Sequence, residues 1–181
     1  MKFVPTPFAG AFIIEPERLE DERGFFARCW CRTELETHGL VASFAQCNIS
    51  FNRKLGTLRG LHYQAAPYCE AKIVRCTRGR AFDVMVDLRP SSPTRHHWHA
   101  VELSADNARM VYVPEHFAHG FQTLEDDTEL FYQMSEDHRP EAACGLRFDD
   151  PAFAIAWPID NPILSLRDLS FPLLGVEQIA C

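Results

Sequence analysis

Residues 72–134 are divided into short runs of β-type residues that recur about every ten residues. The segments between these runs are rich in Ser, Asn, Asp and Pro, which favour turns. Helical periodicity is scarce, and the clearest helix signal is RTELETH at 32–38, which ends at Gly39. Short strands in one uninterrupted series predict an all-β antiparallel sandwich or barrel with few helices. The predicted strands are 72–76, 81–88, 99–103, 109–113, 118–124 and 129–134.

The first two of these strands are separated by a short turn at 77–80 and predict a β-hairpin. Alternation along 81–88 predicts one apolar face and one face that carries two aspartates. The apolar face contains Phe82, Val84, Val86 and Leu88, and the opposite face contains Asp83, Met85 and Asp87.

Composition and charge narrow the class of protein. A chain of 181 residues with 46% hydrophobic residues is expected to form a single domain, 1–181, with a sizeable core. Its net charge of −7 argues against nucleic acid as a partner, because such a surface is normally basic. An anionic ligand would therefore need local cations, and Arg23, Arg59 and Lys72 are the candidates.

The cysteines predict free thiols in a reducing compartment. They are odd in number and contain no CxxC pair, and Cys29 and Cys31 would share one face if their segment were a strand. The N-terminal segment has prolines where a signal peptide needs an apolar core, and no apolar run approaches the ~20 residues of a membrane span. We therefore expect a soluble cytoplasmic protein that has no membrane partner. The seven cysteines are Cys29, Cys31, Cys47, Cys69, Cys76, Cys144 and Cys181.

The segment GTLRGLHYQ at 56–64 combines two basic side chains with glycines and apolar residues. On a strand, Gly60, His62 and Gln64 would point to one face, and Leu61 and Tyr63 to the other. The face that carries His62 is small and polar, which suits the wall of a cavity. A structural histidine that makes one local hydrogen bond is the alternative.

Three further groups lie on strand segments that follow His62. Lys72 begins one strand, His119 lies at the start of AHGFQ, and Tyr132 shares a face with apolar residues of the last strand. Each could be structural when taken alone: a surface lysine, a turn-capping histidine, a wall aromatic. A base, a cation and a phenol on neighbouring inward faces together indicate proton transfer beside a carbonyl.

A metal site is the competing interpretation for a small β-barrel. Such sites commonly use a His-x-His pair, a later Glu and a further His. Here His62, Glu70 and His119 could serve, but Gln64 replaces the second histidine of the pair. Because an amide is a weak ligand, we expect no metal.

Eight distinctive segments cover nearly the whole chain. They are DERGFF (21–26), QCNIS (46–50), GTLRGLHYQ (56–64), AKIVRCTRGRAFDVMVDLRPSSPT (71–94), VPEHFAHGFQ (113–122), ELFYQ (129–133), GLRFDDPAFAIAWP (145–158) and PILSLRD (162–168). In this order they resemble the dTDP-4-dehydrorhamnose 3,5-epimerase family, which has a cupin-type β-barrel or jelly roll fold.

The resemblance implies a role for each matching residue. His62 would be the catalytic base, Asp168 its carboxylate partner, Tyr132 the acid on the opposite side of the sugar, and Lys72 the cation beside the C4 keto oxygen. It also implies a homodimer in which a partner strand completes the pocket, and a reaction that needs no cofactor. The positions that match nucleotide, diphosphate or sugar contacts are Arg23, Phe26, Gln46, Asn48, Arg59 and His119.

The implied chemistry explains these residue types. A hydrogen on a carbon beside a ketone can be removed only if the resulting enolate is stabilised, which Lys72 would do. Asp168 would orient His62 and favour its protonated form. Arg23 and Arg59 would hold a diphosphate through charge-assisted contacts.

Several departures from the family pattern concern recognition of the nucleotide base. His138 lies six residues after Tyr132, where family members commonly have a tyrosine that stacks on thymine. Arg28 and Ala143 replace family glutamates, and Cys47 replaces the aspartate of a QDN triplet. One extra residue also separates QCN from LRG. The resemblance therefore leaves thymidine and cytidine open as the base, with His138 as a candidate contact.

Three functions follow in order of expectation. The first is an epimerase that inverts C3 and C5 of a nucleoside-diphosphate 4-keto-6-deoxyhexose, most readily dTDP-4-dehydro-6-deoxyglucose, in deoxysugar biosynthesis. The second is an epimerase that inverts one centre of a dTDP- or CDP-keto-sugar. The third is a cupin that binds a sugar nucleotide without turnover, for which an acid and a base would be superfluous.

Overall fold

The structure is a computed structural model that describes residues 1–174. The helices are α1 (Arg32–Thr37), α2 (Leu166–Ser170) and a 3-10 helix (Pro140–Ala142). The predicted all-β architecture with a few short helices is confirmed, and each of the predicted strands is present within two residues of its predicted ends. The strands are β1 (Lys2–Pro5), β2 (Phe12–Glu15), β3 (Arg18–Asp21), β4 (Gly24–Ala27), β5 (Gln46–Asn52), β6 (Leu58–Gln64), β7 (Lys72–Arg78), β8 (Arg80–Asp87), β9 (Trp98–Ser104), β10 (Met110–Val113), β11 (Phe117–Thr123), β12 (Thr128–Met134) and β13 (Ala143–Gly145).

The strands form two large antiparallel sheets and one separate hairpin. The first sheet has six strands in the order β1-β2-β10-β7-β12-β5, and the second has five in the order β13-β6-β11-β8-β9. Within residues 1–174, strands β3 and β4 pair only with each other. Apart from the consecutive pairs β1–β2 and β8–β9, neighbouring strands in both large sheets are not consecutive in sequence, as in a jelly roll. Residues of distant segments therefore meet across the interior.

The hairpin predicted for 72–88 is wrong. Strand β7 pairs with β10 and β12, whereas β8 pairs with β9 and β11 in the other sheet. The connection at Gly79 therefore passes from one sheet to the other. Gly79 has φ +74°, and a Cβ there would lie 2.5 Å from Oγ1 of Thr128, so this crossing requires glycine.

Apolar residues of both sheets pack into a shared interior core. Alternation along β8 is confirmed, because Met85 lies in this core while Val84 and Val86 face the opposite side of the sheet. That opposite side is covered by the C-terminal segment through Phe153 and Trp157. The outer face of the first sheet is partly covered by α1, whose Leu35 is fully buried. The interior core comprises Phe8, Ala11, Val74, Cys76, Ala81, Met85, Val101, Leu103, Val111, Val113, Phe117, Phe121 and Leu130.

The segment that contains Cys29 and Cys31 is not a strand. It follows β4 without regular structure, and Cys31 is the residue that precedes α1. The six cysteines within residues 1–174 are free thiols, and Cys181 lies outside the described residues. No helix within that part of the chain is long and apolar enough to cross a membrane.

Candidate active site

A cavity of about 260 Å³ lies between the two sheets. Val74 and Phe121 belong both to the interior core and to the cavity wall, so the cavity continues the space that the core fills elsewhere. Both sheets contribute polar side chains to it, which is the usual composition of a ligand site. The lining residues are Ser50, Arg59, His62, Tyr63, Gln64, Glu70, Lys72, Val74, His119, Phe121, Tyr132, Met134, His138, Ala143, Cys144 and Arg167.

Strand β6 brings both Arg59 and His62 to this cavity, although simple alternation would place them on opposite faces. The pairing with β11 changes register here, since His62 lies opposite His119 but Arg59 lies opposite Phe121. One extra residue on β6 is thereby accommodated as a β-bulge. The bulge reverses the alternation between its two sides, so that Arg59 faces the cavity as His62 does. Gly60 permits the bulge because it has φ +134° and a Cβ there would lie 2.6 Å from Cα of Gly120.

His62 and Asp168 form a close pair at the cavity wall. Nε2 of His62 lies 2.7 Å from Oδ1 of Asp168, which is buried at the start of α2. Burial alone would raise the pKa of Asp168, but hydrogen bonds from His62 and from the backbone of Gly60 hold the pKa below its usual value. Asp168 is therefore a carboxylate that fixes the orientation of the imidazole.

Lys72 and Tyr132 reach the cavity from the opposite sheet. Nζ of Lys72 lies 2.9 Å from Oε1 of Glu70 and 3.4 Å from the carbonyl oxygen of His62. Tyr132 is half-buried on β12, and burial raises the pKa of its phenol, an effect that the nearby charge of Arg59 reduces without reversing it. The phenol thus keeps its proton well beyond neutral pH.

The other two predicted residues on the second sheet are each held by a buried polar side chain. Nε2 of His119 lies 2.9 Å from both carboxylate oxygens of Asp83, which is completely buried. Nε of Arg59 donates to Oδ1 of Asn52 at 2.7 Å, which leaves its terminal nitrogens for other acceptors. Both side chains are positioned before any ligand binds.

Gln46, Asn48 and His138 lie together beside the cavity. Gln46 and Asn48 lie on β5 and alternate with exposed residues, as does Ser50, which lines the cavity. The side-chain amides of both donate weakly to Sδ of Met134. The backbone N–H of His138 donates to Oε1 of Gln46 at 2.8 Å, and His138 itself lines the cavity. Their roles in base or sugar recognition remain predictions.

Arg23 and Phe26 are not brought to the cavity of their own chain. They belong to the hairpin of β3 and β4, where the side chain of Arg23 is 86% exposed and pairs with Asp21, and Phe26 is 72% exposed. A large aromatic side chain exposed to this degree beside other exposed apolar residues is typical of a surface that contacts another chain.

Sequence reasoning missed four polar residues around the cavity. The sequence predicts Asp83 only as part of a strand face and Glu70 only as a metal ligand, and no motif singles out Asn52 or Arg167. A partial signal existed for Asp83, because an aspartate inside an apolar strand is expected to have a buried partner. For the others, only the tertiary arrangement reveals the contact.

The three residues of the metal interpretation are each paired differently in the structure. His62 binds Asp168, Glu70 binds Lys72 and His119 binds Asp83. Within residues 1–174, no group of three or more His, Cys, Asp or Glu side chains is arranged to hold a metal ion.

The chain is similar to known proteins along nearly its whole length. The family model described as dTDP-4-dehydrorhamnose 3,5-epimerase matches residues 5–175. The chain belongs to this family. It is 42% identical over 171 residues to the dTDP-4-dehydrorhamnose 3,5-epimerase of Shigella flexneri, covering 94% of both chains.

Two other relatives bear on the chemistry. The crystal structure of the 3,5-epimerase from Bacillus anthracis with TDP and PPi bound superposes with a TM-score of 0.93 at 42% identity, covering 96% of this chain and 99% of that one. A dTDP-4-dehydrorhamnose 3-epimerase from Streptomyces niveus is 38% identical over 182 residues, covering 99% of this chain and 87% of the relative. The family thus contains enzymes named for inversion at two carbons and at one.

Proposed function

We propose that the chain is an isomerase that inverts C3 and C5 of dTDP-4-dehydro-6-deoxyglucose to form dTDP-4-dehydrorhamnose. The observation that carries this proposal is the placement of two proton-transfer groups on opposite sheets around one cavity. His62 comes from the five-stranded sheet and Tyr132 from the six-stranded sheet. A base and an acid that approach from two sides are what inversion at carbon requires.

The first step is removal of a proton from a carbon beside the C4 ketone. Because Nε2 of His62 donates to the carboxylate of Asp168, the lone pair is left on Nδ1, which takes the proton. The electrons of the C–H bond form a C=C bond, and the carbonyl electrons move onto the C4 oxygen. The ammonium of Lys72 stabilises the enolate oxygen, and the carboxylate of Asp168 stabilises the imidazolium.

The second step returns a proton to the same carbon from the other side. The phenol of Tyr132 donates it, the C=O bond re-forms, and the configuration is inverted. The raised pKa of Tyr132 keeps the phenol protonated for this task. His62 then carries an additional proton and Tyr132 lacks one, so both exchange with solvent before the second carbon reacts. C3 and C5 both flank C4, so one set of groups serves both.

We further propose that Arg59 and Arg23 hold the diphosphate and that two copies of the chain form a homodimer. Arg23 and Phe26 would then reach the cavity of the second copy. The support is the exposed apolar surface of the β3–β4 hairpin, which includes Leu19, Phe25 and Phe26, and of the edge strand β5, where Ile49 and Phe51 point outward. Replacement of Phe26 by Ser should reduce the dimer fraction in sedimentation experiments and raise KM. A monomeric wild-type protein with full activity would exclude this arrangement.

Incorporation of deuterium from solvent tests the reaction itself. In deuterated water, the wild-type protein should label C3 and C5 of dTDP-4-dehydro-6-deoxyglucose, as followed by NMR. Tyr132→Phe should lower product formation about 10²-fold or more. Deuterium from solvent should still enter the carbon from which His62 removes the proton. Tyr68→Phe is the matched control, because Tyr68 does not line the cavity.

The label distribution also separates the alternatives. Label at one carbon would favour a single-centre epimerase, the activity for which the Streptomyces niveus relative is named. Absence of label with both thymidine and cytidine nucleotide sugars, despite tight binding, would identify a binding protein without turnover.

Cytoplasmic localisation stays a prediction from the cysteine composition.

A further inference from the structure

Glu70 is a buried acidic residue beside Lys72 for which proton transfer at the sugar requires no role. Its Oε1 lies 2.9 Å from Nζ of Lys72, and the side chains of the lysine and the glutamate are 8% and 3% exposed. The second carboxylate oxygen, Oε2, is also buried and has no hydrogen-bond partner within the described part of the chain. Glu70 and Lys72 both line the cavity.

Stability alone does not account for this pair. Burial of two charges costs desolvation free energy, and the cost is recovered only when their remaining hydrogen-bonding atoms also find partners. Oε2 has no partner within residues 1–174, so the carboxylate is incompletely satisfied there. A buried group of this kind requires an explanation, and its position next to Lys72 supplies one.

Among the described residues, the contacts of the Lys72 ammonium leave one N–H donor for a ligand. An ammonium group has three N–H donors. One is directed to Oε1 of Glu70 at 2.9 Å, and a second makes a longer contact of 3.4 Å with the carbonyl oxygen of His62. The two acceptors lie on the segment before β7 and on β6, so they hold Nζ from two directions.

On the basis of the function proposed above, we propose that Glu70 is the positioning residue for Lys72. It accepts a hydrogen bond from the ammonium and so holds Nζ where the third N–H meets the C4 oxygen. The C4 oxygen becomes fully anionic only during the reaction. Loss of this positioning should therefore lower kcat and leave KM nearly unchanged.

Single substitutions at Glu70 give the first test. Glu70→Ala should lower kcat about 10- to 100-fold with KM within about threefold of wild type. Glu70→Gln should recover most of the activity, because its amide oxygen accepts the same hydrogen bond. Glu70→Asp keeps the charge but withdraws the carboxylate by one bond, about 1.5 Å, and should also lower kcat.

A double-mutant comparison separates positioning from a general structural effect. Lys72→Met removes the group that Glu70 is proposed to hold, so adding Glu70→Ala to it should change kcat by less than about threefold. If Glu70 had only a structural role, Glu70→Ala would reduce kcat by the same factor in the wild-type and in the Lys72→Met protein. Melting temperature and calorimetric binding of dTDP verify that each variant is folded and binds nucleotide.

Two outcomes would overturn the proposal: full kcat in Glu70→Ala, or an equal loss in the wild-type and Lys72→Met backgrounds. Should Glu70→Ala not fold, Glu70→Asp replaces it, and wild-type kcat in Glu70→Asp would refute the positioning role. Failure of the underlying function is distinguishable, because the wild-type protein itself would then show no deuterium exchange.

Discussion

The hydrogen bond between Asp168 and His62 provides a direct test of proton removal. Asp168 is 4% exposed, its Oδ1 lies 2.7 Å from Nε2 of His62, and its lowered pKa means that it is ionised at neutral pH. Asp168→Asn keeps the shape of the side chain and removes the negative charge that is proposed to stabilise the imidazolium. A hydrogen bond to a charged group contributes about 1.5–3 kcal/mol, which corresponds to a loss of about 10- to 150-fold in kcat.

The assay is the rate at which solvent deuterium enters C3 and C5, measured by NMR at saturating dTDP-4-dehydro-6-deoxyglucose. Asp149→Asn is the matched control, because Asp149 pairs with Arg147 at the surface and does not line the cavity. KM should stay within about threefold, since Asp168 is not among the residues proposed to bind the nucleotide. An exchange rate in Asp168→Asn within about threefold of wild type, with an unchanged melting temperature, would refute the assignment of His62 as the base that Asp168 supports.

The same carboxylate has a predictable effect on stability. The pKa of Asp168 is lowered in the folded state. Its ionised form therefore stabilises the folded protein at pH values above about 3.9, the usual pKa of an aspartate. This contribution is lost as the pH falls through the folded-state pKa. Urea unfolding should therefore show a difference between wild type and Asp168→Asn at pH ~6 that shrinks at pH ~3. A difference that grows toward acid pH would contradict this sign.

Three other predictions concern the cavity and the strand that forms its wall. The raised pKa of Tyr132 predicts that kcat shows no alkaline decline attributable to this phenol below pH ~10, and a Tyr132-dependent decline near pH ~8 in a pH–rate profile would contradict it. Arg59→Lys should raise KM about tenfold and weaken dTDP binding in calorimetry with little change in kcat, because a lysine lacks the planar fork that binds a diphosphate through two bonds. Gly60→Ala should lower the melting temperature by about 5 °C or more, because its Cβ would lie 2.6 Å from the backbone of β11, whereas Gly24→Ala, also at positive φ but with open space around it, should cost less.

The wrong prediction of a hairpin at 72–88 shows that an alternation pattern determines which way side chains face but not which strands pair. Alternation along 81–88 correctly separated Val84 and Val86 from Met85. The pattern contains no information about which strand lies alongside, because any strand with a matching apolar face offers the same hydrogen bonds. The short turn suggested local pairing, but Gly79 directs the chain into the other sheet.

The candidate site was predictable to the extent that it depends on residue type and order. His62, Lys72, His119 and Tyr132 were selected from the chemistry of strand residues, and the structure places all four around one cavity. Asp168 entered only through the family resemblance, because nothing in a local pattern connects it with a histidine 106 positions earlier.

The amino-acid order by itself determined the β-rich architecture and the family, because periodic apolar residues and long ordered motifs are properties of neighbouring positions. The tertiary structure alone decided which groups cooperate. Bulging at Gly60 brings Arg59 to the same face as His62, and burial joins Glu70 to Lys72 and Asp83 to His119. These pairings depend on register and on exclusion of water, which exist only after the two sheets have packed together.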